Sequence, residues 1–167
     1  MKITSLTALF ILIVILFTVY FRMQDQNRIQ TQAQNLKSFD RTVKENELTL
    51  AQYKVLKEGG TEIPYTSSLL HEKRKGTYVT ADCNEPVFRS EQKFDSGTGW
   101  PSFYAPINKD AIVELVDTTL GITRTEIVSS ICKSHLGHVF NDAPQTPTGL
   151  RYCINGLALI FIPDKIQ

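Results

Sequence analysis

From Gly76 onward the chain has the texture of a β protein. Thr77 to Ala81, Ala111 to Val116, Ile122 to Ile131 and Arg151 to Ile162 are short, β-branched and partly alternating. Clusters of Gly, Pro, Asn and Asp separate them. β-Branched side chains suit a pleated surface, and the clusters supply turns. In Ile122 to Val128 the alternation puts Arg124 and Glu126 on one face. There is no internal repeat, no βαβ rhythm and no Gly-rich phosphate loop, so nothing points to a nucleotide fold. Ahead of this region, Leu48 to Glu58 reads as a short amphipathic helix stopped by Gly59-Gly60. The expected fold is mainly β, an antiparallel sheet architecture with a few short N-terminal helices.

The other end of the chain is different. Ile3 to Phe21 is apolar apart from Thr and Ser, with Lys2 before it and Arg22 after it. Nineteen residues of helix span about 28 Å, close to the hydrocarbon thickness of a bilayer. No small-x-small cleavage site follows, so residues 1–22 are expected to be a transmembrane anchor or uncleaved signal. Residues 23–46 are polar, rich in Gln and Asn, and free of Gly and Pro, which reads as a linker. The folded domain is expected at 47–167. By charge count the flanks lean toward a cytoplasmic domain. A short tail with one lysine before an apolar run is, however, how an export signal begins. The expectation is a single-pass membrane protein with an extracytoplasmic domain, periplasmic in a Gram-negative cell. A net charge of +1 gives no reason to expect nucleic acid as a partner.

Chemistry concentrates in three places. In the strand segment Gly149 to Gly156, alternation would put Arg151, Cys153 and Asn155 on one face. A cation beside a thiol favours the thiolate, the nucleophilic form. Phe94 to Phe103 holds the one tryptophan, Trp100, between glycines and a proline. It is either a core plug or an aromatic wall that accepts a methyl or thioether group. Ser134 to Asp142 reads as a polar loop with His135 and His138 three residues apart, followed by Phe140 and Asp142. An acid–base role, with Asp142 orienting an imidazole, outweighs a metal site that has no third obvious ligand. Cys83 and Cys132 each lack a second cysteine three residues away; Thr80 and Ser129 stand there. Two thiolates alone make a poor zinc site, so no cofactor and no zinc are expected.

GTGWPSF, HLGHVFND and LRYCIN, in this order, resemble the type B methionine sulfoxide reductases (the MsrB or SelR family) over about residues 46–163. The resemblance implies two antiparallel β-sheets and reduction of the R epimer of methionine sulfoxide in proteins. It implies Cys153 as nucleophile. His135, His138 and Asn155 would act on the sulfoxide oxygen or the thiol. Trp100 would pack against the substrate methyl, with Phe140, Arg151 and Asp142 completing the substrate site. Oxidised proteins or peptides are the implied substrate, and a thioredoxin-like protein or small thiol the reductant. Two departures stand out. Thr98 occupies the position where many members carry a resolving cysteine, and the four-cysteine zinc site is reduced to Cys83 and Cys132. The resemblance brings these two together, either as a disulfide replacing the metal or with one of them resolving Cys153. Rival readings are an inactive binding module of this fold and a cysteine hydrolase. For a hydrolase, Asn155 stands too near Cys153 in sequence to orient a distant imidazole.

Overall fold

The structure, a computed structural model, describes residues 17–24, 26, 48–119 and 121–165. The chain divides into two units, residues 1–40 and 41–167. In the first, residues 17–24 are helical. Among the described residues no helix is long and apolar enough to cross a membrane. The expected anchor at 1–22 lies mostly outside the described residues, as does the expected linker at 23–46.

The second unit opens with helix α1 (Leu50–Glu58). Thr49 caps it: its hydroxyl accepts from Gln52 N at 3.2 Å, and Gln52 Oε1 accepts from Thr49 N at 3.0 Å. Gly59 ends it in the left-handed region, φ 68°, where glycine has no Cβ to clash. Val55 and Leu56 are the residues α1 buries.

Among the described residues nine strands follow: β1 (Gly76–Thr80), β2 (Pro86–Arg89), β3 (Lys93–Phe94), β4 (Ser102–Phe103), β5 (Ile112–Asp117), β6 (Arg124–Ser129), β7 (His135–Ala143), β8 (Gly149–Ile154) and β9 (Leu159–Pro163). They form a three-stranded sheet, β2-β1-β9, and a six-stranded sheet, β3-β4-β8-β7-β6-β5. Every pairing is antiparallel. The fold is therefore mainly β, with two antiparallel sheets. The core includes side chains from both. Phe88 stacks on Phe103 at 4.4 Å between centroids, and Tyr78 meets Phe103 edge-on at 4.9 Å. Such pairs add about 1 kcal/mol each beyond their burial. Ile127, Leu136, Ile154 and Leu56 belong to the same buried cluster.

Two segments differ from the sequence reading. Ser134 to Asp142, read as a loop, is mostly strand β7. Its His, Gly, Asn and Asp have low strand propensity, but pairing on both sides, with β6 and β8, overrides that. Arg151 to Ile162, read as one segment, is split between the two sheets by a 3-10 turn at Gly156–Ala158. The backbone N–H groups of Gly156 and Leu157 leave the ladder and donate to the Glu62 carboxylate instead.

The register of β7 decides where its two histidines point. Gly137 pairs with Ile127, but His135 pairs with Val128, so Leu136 is an extra residue, a bulge. In a regular strand residues three apart point to opposite faces. The bulge restores parity and puts His135 and His138 on the same face.

Candidate active site

Cys153 lies in the middle of the six-stranded sheet. Its register partners are His138 on β7 and Ser102 on β4. Residues paired across strands share a face, and so do alternate residues along one. Cys153, Arg151, His138, Phe140, Glu126, Arg124 and Asp117 thus occupy one face, which His135 joins through the bulge. Ile154 and Tyr152 point the other way, into the core.

The thiol has two close polar neighbours. Thr98 Oγ1 is 3.8 Å from Cys153 Sγ, and the Arg151 guanidinium lies within its field. Burial pushes the thiol up from its ordinary value; Thr98 and the Arg151 charge pull it back, and Asp142 pushes it up. Arg151 is held in place. Its Nε and Nη2 donate to Asp142 at 2.9 and 2.7 Å, a bidentate pair, and its guanidinium sits 4.4 Å from the centre of the Phe140 ring. Asp142 therefore orients Arg151, not an imidazole as the sequence reading had it.

The imidazoles have other acids. His135 Nδ1 is 2.6 Å from Glu126 Oε1, and His138 Nε2 is 2.7 Å from Asp117 Oδ2. The rings meet edge-on at 5.6 Å. Desolvation pulls His138 down, and Asp117 works against that. Asp117 lies well below the usual carboxylate range. The backbone N–H and hydroxyl of Thr119 donate to it at 2.9 and 2.7 Å, and His138 and Arg124 add to this. The Arg124 guanidinium donates to the Asp117 oxygen that faces His138. His135 Nε2 is buried without a hydrogen-bond partner, so a ligand or an ordered water can satisfy it. Arg124, Glu126 and Asp117 were missed as site residues. The alternation of Arg124 and Glu126 was legible, but not that their face is this one.

Strand alternation does not reach Asn155. It falls one residue past β8, and its side chain turns inward: Oδ1 accepts from Glu62 N at 2.9 Å, and Nδ2 donates to Leu136 O at 3.0 Å. It is only 3% exposed. Asn155 braces the turn after Cys153. Trp100 is half-buried, its Nε1 donating to Glu62 O at 3.1 Å. A hollow of about 410 Å³ borders the site face, lined among others by Arg124 and Phe140.

Cys83 and Cys132 form a disulfide, with Cα atoms 6.5 Å apart, leaving Cys153 as the free thiol. Their two turns are built alike. Thr80 Oγ1 accepts from Glu85 N, and Ser129 Oγ accepts from Ser134 N. Asn84 and Lys133, each just after its cysteine, take positive φ of 57° and 56°. A zinc ion held by four thiolates does not fit here. The two sulfurs are bonded to each other, and hydroxyls that close turns stand where two more thiolates would be needed. Asp82 Oδ1 is buried without a partner, but the other oxygen is taken by Lys57 and Ser134. One carboxylate oxygen beside a closed disulfide is not a metal site.

The SelR domain model matches residues 48–163, the whole of this scaffold from α1 to β9. The chain belongs to the SelR domain family. It is 55% identical over 118 residues to the peptide methionine sulfoxide reductase MsrB of Leifsonia xyli subsp. xyli, covering 71% of this chain and 85% of that one. To the MsrB of Pseudomonas putida W619 it is 50% identical over 130 residues, 77% of this chain and 97% of the relative. To that of Teredinibacter turnerae it is 47% identical over 122 residues, 73% and 90% respectively. The SelR scaffold thus carries the face on which Cys153, Arg151 and both histidines stand.

Proposed function

We infer that this chain is a peptide-methionine (R)-S-oxide reductase, with Cys153 as its nucleophile. One observation carries the reading: a free thiol on a sheet face shared with a buttressed arginine and two carboxylate-paired imidazoles. A sulfoxide sulfur is electrophilic, but its oxygen leaves only if it gains a proton. The Cys153 sulfur attacks the sulfoxide sulfur as the oxygen gains a proton; the new sulfur–sulfur bond and the methionine sulfur–oxygen bond then break as the hydroxyl passes to the cysteine sulfur, and methionine departs. Oxygen and the thiol proton remain on cysteine as the sulfenic acid, so the cysteine is oxidised by two electrons as the sulfoxide is reduced. His138, opposite Cys153, or His135, with its unused Nε2, passes the proton; Asp117 favours the charged form of His138, and Glu126 orients the His135 ring. Trp100 supplies the wall for the substrate methyl.

Recycling needs thiols. Thr98, 3.8 Å from Cys153 Sγ, cannot form a disulfide, and Cys83 and Cys132 are bonded to each other. An external thiol, from a thioredoxin-like protein or a small molecule, condenses with the sulfenic acid and releases water. A second thiol then frees Cys153. No metal or other cofactor takes part in this cycle. The deciding experiment supplies peptides with pure R or S methionine sulfoxide plus dithiothreitol and counts methionine. Turnover of the R epimer alone, falling by at least about a thousandfold in Cys153→Ser, is expected. Binding without turnover of either epimer would favour an inert binding module. Peptide or ester cleavage would favour a cysteine hydrolase.

The apolar run at residues 3–21 anchors the chain in a membrane, with the domain outside the cytoplasm. The bridge at Cys83–Cys132 supports this, since disulfides persist in oxidising compartments. Full chain remaining in the membrane pellet after an alkaline wash, while a chain starting at residue 47 stays in the supernatant, is the expected result.

A further inference from the structure

Glu62 sends all of its polar groups to the site. Its backbone N–H donates to Asn155 Oδ1 at 2.9 Å. Its carboxylate accepts from Gly156 N at 2.6 Å and Leu157 N at 2.8 Å, one oxygen each. Its carbonyl accepts from Trp100 Nε1 at 3.1 Å. The residue is 6% exposed. The chain just after it continues the same contact: Tyr65 N donates to Gly99 O at 2.7 Å, and Tyr65 Oη to Gly97 O at 2.8 Å.

No cation faces this carboxylate in its hydrogen bonds, and burying one without a cation is costly. Two backbone N–H groups, freed where the chain leaves β8, compensate for it. The arrangement ties the wall of the pocket and the turn that follows the nucleophile to one residue, 38 positions from Trp100 and 93 from Asn155.

We propose that Glu62 is a positioning residue, which sets Trp100 at a fixed place relative to Cys153 by holding the indole and the Asn155–Leu157 turn at once. This rests on the reading of Cys153 as nucleophile and Trp100 as substrate wall. A residue that only fastened the N-terminal segment would stabilise the fold without controlling the indole.

The two roles separate in the full chain, because Trp100 is its one tryptophan and its emission reports the indole directly. In Glu62→Ala the backbone N–H and carbonyl remain, but the anchor on Gly156 and Leu157 is gone. The emission then moves to longer wavelength and acrylamide quenches it more readily. The KM for an R-sulfoxide peptide rises about tenfold, the loss of roughly one good hydrogen bond in placing the wall. In a Trp100→Phe background, which lacks the indole N–H, the same change raises KM by less than about threefold, since coupled residues are not additive. Unchanged emission in folded Glu62→Ala overturns the proposal, as does an equal loss with and without the indole N–H. If Glu62→Ala does not fold, Glu62→Gln decides: it keeps the volume but offers one acceptor, and its emission shifts if Glu62 places the indole and stays put if it does not. Should the wild-type chain turn over neither epimer, the reading of the site fails, while the emission still tests whether Glu62 places Trp100.

Discussion

Burial pushes the Cys153 thiol up, so what pulls it back decides how much thiolate is present near neutrality. The hydrogen bond with Thr98 and the charge of Arg151 do so. Asp142 acts in both directions, raising the thiol by its own charge while holding the guanidinium that lowers it. Arg151→Met keeps an unbranched side chain of similar reach and removes the cation that lies over Phe140. The thiol pKa then moves up, thiolate at any given pH falls, and the alkylation rate with iodoacetamide shifts its midpoint to higher pH. An unmoved midpoint would mean that Thr98 alone sets the thiol. At this scale the sequence was informative where chemistry is local. Arg151 and Cys153 are two apart on one strand, so alternation placed them together. It was silent where partners come from other strands. Asp117 reaches His138 across 21 positions, and Glu62 reaches Trp100 across 38. Nothing in an isolated acid marks it as either.

Along β7, a single inserted residue converts an ordinary strand into the two-histidine element of the site. The bulge puts Leu136 into the core, fully buried, and leaves its carbonyl to accept from Asn155 N and Nδ2. Beside it, Gly137 allows β8 to approach. A Cβ at that position would meet the Cys153 carbonyl oxygen at 2.1 Å, a backbone atom that cannot swing aside. Gly137→Ala therefore drives β7 and β8 apart at the catalytic position. A stability loss of roughly 1–3 kcal/mol, typical of overpacking, is expected in urea unfolding. Turnover should fall further than stability alone explains, because His138 and Cys153 face each other across this gap. Turnover equal to wild type in the folded fraction would mean the pairing geometry is not critical. The strands with β-branched alternation, β1, β5 and β6, were legible within a few residues. β7 was not, because its composition follows the site and its pairing follows both neighbours. The spacing of His135 and His138 was visible, but only the bulge explains how such a spacing can share a face.

Across the whole domain, the Cys83–Cys132 bridge joins the β1–β2 turn to the β6–β7 turn, and with it the three-stranded sheet to the six-stranded one. It closes a separation of 49 residues, for which the chain-entropy argument gives about 4 kcal/mol. Other ties cross the same corner. The Glu85 carboxylate accepts from Ser130 Oγ and from the backbone N–H of Ile131 and Cys132, and Asp82 holds Lys57 and Ser134. Replacing both cysteines (Cys83→Ala with Cys132→Ala) tests how much the covalent bond adds. A drop of about 2–4 kcal/mol in urea unfolding under non-reducing conditions is expected. A loss below about 1 kcal/mol, within the range of one ordinary hydrogen bond, would mean that Glu85 and Asp82 hold the corner without it. The bridge also separates two redox demands within one chain. Cys153 must be reduced in every cycle, while Cys83–Cys132 must stay closed to contribute its stability. A strong dithiol serves the first demand and opposes the second. The double variant removes the conflict: if bridge reduction limits the wild type at high dithiol, the rate of the wild type passes through a maximum as dithiothreitol rises, and that of the variant rises to a plateau.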